Sequence, residues 1–178
     1  MKTFSFTVFF VLIAGFSATL AAQSVEIADF LAFNGLYAGT LTYTDYGSGD
    51  LVSMPLVANV VVGKNKLEFP IEMNEHNDRY QHNFSFNIKD GAIKGWTTIK
   101  NELTKGGLLE LSRQGKDDNR SAEIRMTLAP TPNGLRISKT VRFLKGEGSD
   151  TFMVRNQYDF QRVELSAPLT QYASVAGK

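Results

Sequence analysis

The chain contains no cysteine. It can form no disulfide and offers no thiolate as a nucleophile or metal ligand. Its fold must be held by burial and hydrogen bonds alone, and it is indifferent to the redox state of its compartment. The same absence excludes a lipid-modified N-terminal cysteine. Histidine is scarce, with only His76 and His82. An excess of one charge sign is also missing. Lys2 is the only charged residue among the first 22, so setting those aside leaves 18 basic against 18 acidic residues. A nucleic-acid partner would call for a basic stripe, and none is present. Catalytic signatures are lacking too: no Gly-x-Ser-x-Gly elbow, no glycine-rich phosphate loop and no His-Glu-x-x-His. Neither a catalytic residue nor a cofactor is expected.

The one long apolar run lies at the start. Lys2 precedes an uncharged stretch from Phe4 to Leu20, with Val8 to Ala14 at its centre and Ala18, Ala21 and Ala22 closing it. A basic start, an apolar middle and a small-residue end describe a secretory signal peptide over 1–22, with cleavage after Ala21 or Ala22. The polar Ser17 and Thr19 and the lack of a following basic stop argue against a membrane anchor. The protein is therefore expected to be exported, periplasmic or secreted, with no membrane span once the leader is gone. Residues 23–163 are long enough for a single domain with a real core. Residues 164–178, with Pro168, read as a loosely held tail.

What fills the rest is a two-residue rhythm. Tyr80, His82, Phe84, Phe86 and Ile88 alternate with Arg79, Gln81, Asn83, Ser85 and Asn87. That period marks a strand with one buried and one wet face. Asp90-Gly91 then signals a hairpin, with Ala92 to Ile99 returning and carrying the only tryptophan, Trp96. Similar runs extend over Leu36–Tyr46, Leu51–Gly63, Lys66–Met73, Leu108–Arg113, Ala122–Leu128, Leu135–Phe143 and Phe152–Arg162. Asn59 to Gly63 breaks the alternation, which predicts burial on both faces, a bend or a bulge. Pro70 predicts a sheet margin or a local irregularity. Gln114 to Asn119 reads as a turn. Ser24 to Phe33 alone has helical spacing, with Ser24 as N-cap and Val25, Ala28 and Leu31 on one side.

About nine strands with short connections pair antiparallel with their sequence neighbours. The expected fold is all-β: a single up-and-down meander of 8–10 strands, closed into a barrel with a short N-terminal helix over one end. A two-sheet sandwich is the alternative.

Ala32-Phe-Asn-Gly35-Leu36-Tyr37 precedes the first strand, and Arg162 comes late in the last. In this the chain resembles the lipocalin and fatty-acid-binding-protein group, the calycin barrels, whose pattern is Gly-x-Trp at the first strand and an arginine that packs over that tryptophan. Tyr37 stands here in place of the tryptophan. Tyr37 to Gly49 also resembles the start of lipocalin-like exported bacterial proteins without an assigned activity. The resemblance implies structural roles for Gly35, Tyr37 and Arg162, and binding of a small apolar or amphipathic ligand inside the barrel.

The residues themselves supply the candidate site. His82, Lys139, Asn156 and Tyr158 share the inward parity of apolar neighbours. A buried lysine or asparagine is costly unless paired. In an enclosed cavity these groups could hold a polar head, while Tyr80, Phe84, Phe86, Met126, Ile137 and Phe152 line the apolar body. Otherwise they reach solvent at strand ends or bond one another. Glu72, Glu75, His76, Asp78 and His82 are the ligand types of a metal site, but their spacing fits no metal pattern, so no metal is expected. Asp45, Tyr46 and Asp50 read as solvated residues of a hairpin tip. If the core is solid, function falls to the loops 74–78, 114–119 and 145–150.

Overall fold

A computed structural model describes residues 23–75, 78–146 and 149–164. The expected leader over 1–22, His76 and the expected tail beyond Glu164 lie outside the described residues. Ten strands follow one 3₁₀ helix, Ile27–Phe33: β1 (Gly35–Thr44), β2 (Leu51–Val62), β3 (Lys66–Glu75), β4 (Asp78–Lys89), β5 (Ala92–Ile93), β6 (Thr97–Asn101), β7 (Leu109–Asp117), β8 (Arg120–Thr131), β9 (Gly134–Phe143) and β10 (Met153–Arg162). A second 3₁₀ turn, Leu103–Lys105, lies between β6 and β7.

All ten strands form one antiparallel sheet in the order β5-β4-β3-β2-β1-β10-β9-β8-β7-β6. The first strand pairs with the last, so the meander curls round into a nearly closed barrel rather than a sandwich. The seam falls between β5 and β6, which are consecutive in the chain. Ala92 to Ile99 is therefore not one returning strand. Gly95, at φ +79°, turns the chain, and Trp96 stands at the seam. Its ring centroid lies 6.3 Å from that of Phe86, and the Arg113 guanidinium covers it at 4.3 Å.

Alternation sets the core. Along β2 Met54, Leu56, Ala58 and Val60 are buried, while Val57 and Val61 face out. No bulge interrupts Asn59–Gly63, since the register with β3 is the same on both sides of it and the valines divide between the two faces in turn. Pro70 lies inside the sheet, between β2 and β4, not at a margin. The β2–β3 ladder is interrupted opposite it, between the pairs Ala58↔Ile71 and Val61↔Glu68, as the missing N–H requires.

The N-terminal helix has three residues per turn, not 3.6. Ile27, Phe30 and Phe33 therefore align; Phe30 and Phe33 are buried, and Leu31 points to solvent. Ser24 is not the cap: its hydroxyl donates to Glu26 (2.9 Å), and the Glu26 N–H donates to Asp29 Oδ2 (3.0 Å). This helix closes one end of the barrel. Val62 N–H donates to Asn34 Oδ1 (3.1 Å), and Asn101 Nδ2 donates to Ser24 O (2.8 Å) and Asp29 Oδ2 (2.9 Å).

The closed end is locked by Arg162. Its Nη1 donates to Asn34 O (2.9 Å), and its Nη2 to Ala32 O and Tyr37 Oη (2.8 Å). The Tyr37 hydroxyl donates onward to Phe33 O (2.9 Å). The guanidinium stands 5.1 Å from the centre of the Tyr37 ring. Gly35 makes room for it, since a Cβ there would lie 2.7 Å from Nη1. Burial pushes the Tyr37 hydroxyl above its ordinary range, against the opposing charge and hydrogen bond of Arg162.

Candidate functional site

The lower interior is packed solid, and the upper interior is not. Phe69 is fully buried and stacks on Phe84 (centroids 4.5 Å). Tyr158 stacks on Phe160 at 5.9 Å, and Phe84 meets Tyr158 at 5.7 Å. Above this aromatic floor, toward the end away from the 3₁₀ helix, lies a cavity of ≈ 400 Å³. That is within the size range of small-molecule sites. Its lining comes from β1 (Leu41, Tyr43), β3 (Met73), β4 (His82, Phe84), β8 (Met126), β9 (Lys139) and β10 (Asn156, Tyr158). Burial raises the Tyr158 hydroxyl above its ordinary range.

The structure thus brings together His82, Phe84, Met126, Lys139, Asn156 and Tyr158. Leu41, Tyr43 and Met73 join them at the same inward parity. Phe86 and Ile137 face inward but are buried in the packed layer. Tyr80 stands at the far end of β4 and is 46% exposed. Phe152 does not face the interior. It lies on the outer wall, with the guanidiniums of Arg125 (4.1 Å) and Arg142 (5.0 Å) over its ring.

The reason is a bulge. β10 pairs with β9 as Met153↔Val141 and Val154↔Thr140, then as Asn156↔Lys139. Arg155 has no partner across the ladder, so parity reverses at that point. Residues 156, 158 and 160 face inward, as alternation predicts, while 152 and 154 face outward. The bulge also turns Arg155 inward.

There it meets a polar cluster that the sequence reading missed. β7 does not end at Arg113 but continues to Asp117, and the turn is only Asp118-Asn119, both at left-handed φ (47° and 59°). Asp117 therefore keeps the inward parity of Leu109 and Leu111, and it is buried. Lys139 Nζ donates to Asp117 Oδ1. The Tyr46 hydroxyl donates to Oδ2, and Arg155 Nε lies 3.8 Å from Oδ2. Tyr46 is accordingly not a solvated tip residue. The Arg155 guanidinium also stacks on the Tyr46 ring (3.7 Å to the centroid) and lies 6.0 Å from the centre of Tyr43.

Burial alone would raise the Asp117 carboxyl. The hydrogen bonds from Lys139 and Tyr46, with the charges of Lys139 and Arg155, outweigh it and hold the group below the usual carboxylate range. Burial, together with the bond to Asp117 and its charge, raises the Tyr46 hydroxyl far above its ordinary value. At the neighbouring tip, Asp45 accepts the N–H groups of Gly47 (2.6 Å) and Ser48 (3.0 Å). These bonds hold its carboxyl low.

The signal for Asp117 was available in part. The run 109, 111, 113, 115, 117 keeps one parity, but Gly115 and the polar residues around it imitate a turn. No protein-family model matches the chain, and no curated protein or solved structure matches it either.

Proposed function

We propose that this is an exported, lipocalin-like barrel that binds a small hydrophobic or amphipathic molecule in its upper interior, without catalysis. The observation that carries the proposal is the ≈ 400 Å³ cup, with an aromatic floor and a wall on which Lys139, Asn156 and His82 are the polar groups. An apolar body with a few convergent polar groups is what a ligand site requires. Export is supported by the leader-like run over 1–22. The likeness to calycin barrels is supported by the antiparallel ten-strand architecture, and by Arg162 packed over the aromatic ring of Tyr37 near the start of β1.

One observation favours a second reading. Below the cup the interior is filled, with Phe69, Leu111, Leu128, Leu135 and Ile137 fully buried. In that reading the cup stays empty, and an exported interaction module works through its hairpin tips. One experiment separates the two. Protein purified from its natural compartment is extracted with organic solvent and the extract analysed by mass spectrometry, and the stripped protein is titrated with the uncharged fluorophore phenylnaphthylamine. A stoichiometric extracted compound, or saturable fluorescence weakened by Phe84→Ala, supports the cup. No extract and no saturable binding refute it.

A further inference from the structure

We propose that the chain forms a two-fold dimer, in which the upper part of β4 pairs antiparallel with the same segment of a second copy. The barrel wall is incomplete there. β5 takes the outer edge of β4 only at Ile88 and Lys89, and β5 and β6 are the two ends of the sheet. Above them the edge of β4 has no neighbouring strand among the described residues. Its free groups can be named. Residues of an antiparallel strand turn their N–H and C=O to one neighbour and then to the other, alternately. Ile88 N–H donates to Asn65 O (2.8 Å) on the β3 side, and Asn87 O accepts from Lys94 N–H (2.8 Å) on the opposite side. The β3–β4 register runs unbroken from Asp78 to Asn87. Arg79, Gln81, Asn83 and Ser85 therefore each direct one donor and one acceptor away from β3, into the gap.

Proteins blunt such an edge with lysine, proline, a bulge or a covering loop. From Asp78 to Asn87 there is no lysine, no proline and no bulge. Asp78 to Asn83 are exposed on both faces, and Tyr80, of inward parity, is among them. Symmetry selects a second copy as the occupant, because the four free residues are arranged evenly about His82. A two-fold axis at His82 sets Arg79 opposite Ser85 of the second copy and Gln81 opposite its Asn83. Every free N–H and C=O then finds a partner. A shift of two residues one way meets the Asn87 carbonyl, already bonded to Lys94. A shift the other way carries Ser85 past the end of β4. The same axis places Tyr80 beside Phe84 of the second copy, an aromatic cross-strand pair that occurs twice. Like charges do not meet: Arg79 is already paired with Glu72, and Asp78 comes to face Phe86. The pairing closes on itself and leaves no part of this edge to recruit a third copy. It holds whether the cup is filled or empty.

The test exploits the absence of cysteine. His82→Cys puts one thiol on the axis, where the Cα atoms of a non-hydrogen-bonded pair lie about 4.5 Å apart, within disulfide reach. Ser85→Cys puts its thiol about 20 Å from its mate, the length of the pairing from Arg79 to Ser85. Under mild oxidation the first should form a covalent dimer and the second should not. Light scattering over a dilution series of the wild type should show a mass that falls from dimer to monomer. Gln81→Pro removes an N–H that β3 does not use, so the barrel should fold, with wild-type Trp96 emission. Symmetry counts the lost hydrogen bond twice, so this dimer should dissociate at a concentration roughly tenfold higher or more. Asn83→Lys keeps the backbone donor but sets two cations close to the axis, and should weaken the dimer likewise. A wild type that is monomeric at every concentration overturns the proposal, even if an unrelated extended peptide binds the edge. A dimer that His82→Cys does not trap, and that neither Gln81→Pro nor Asn83→Lys weakens, lies on another surface and overturns it as well.

Discussion

Arg162→Ala should loosen the closed end of the barrel by a calculable amount. The side chain makes three hydrogen bonds, to Ala32 O, Asn34 O and Tyr37 Oη, and stands over the Tyr37 ring. Bonds from charged donors are worth about 1.5–3 kcal/mol each when buried. The two bonds to backbone carbonyls here are solvent-exposed, so about 0.5–1 kcal/mol each is the appropriate scale. The part-buried bond to Tyr37 Oη adds about 1 kcal/mol, and the contact with the ring about 0.5–1 kcal/mol. The sum is a loss of about 3 kcal/mol. For a domain of this size, 1 kcal/mol shifts the midpoint by roughly 2–4 °C, which predicts a Tm lower by about 6–12 °C. Thermal unfolding followed by Trp96 fluorescence, with urea titration as a second measure, reads the change. Tyr37→Phe removes the bridging hydroxyl, so the two substitutions share an interaction and should be non-additive by about 1 kcal/mol in a double-mutant cycle. A Tm within about 2 °C of wild type, or strictly additive effects, would refute the lock.

The remaining predictions concern the core, the outer wall and the buried carboxylate. Phe69→Ala should cost about 3–5 kcal/mol in urea unfolding, because the ring is fully buried between Phe84 and Phe160; a loss below about 1 kcal/mol would contradict a packed floor. Phe152→Ala should leave phenylnaphthylamine binding unchanged, whereas Phe84→Ala weakens it; the reverse would show that the bulge at Arg155 has been placed wrongly. Asp117 has a folded-state carboxyl below its unfolded value of about 3.9. Its contribution is therefore present above that pH and lost as the pH falls through the folded value. Asp117→Asn should cost about 3 kcal/mol at neutral pH, since it strands two cations, and should flatten the acid limb of the stability curve; an unchanged acid limb would mean that Asp117 is not the group involved.

Much of the barrel was legible in the order of residues. The alternation over Tyr80–Ile88 gave a strand and its inward face, and Asp90-Gly91 gave the hairpin, with both residues at left-handed φ (51° and 74°). Lys139 and Asn156 were placed inward by parity alone, and they are paired directly across β9 and β10. Parity failed at Phe152, because one unpaired residue downstream, Arg155, inverts every position before it. It failed in a different way at Asp117, where glycine and polar side chains made a continuing strand look like a turn.

Period and turn chemistry are local properties, so the chain alone determined that it forms antiparallel strands with one apolar face, and roughly where they bend. Which residues meet across the barrel depends on the register between strands far apart in the chain, and a single bulge changes it. Tertiary structure therefore decided that β1 closes on β10, that the lower interior fills while the upper remains a cup, and that Tyr46, Asp117, Lys139 and Arg155 converge. The physical reason is that burial fixes the side a residue faces, whereas only the pairing of whole strands fixes what it faces.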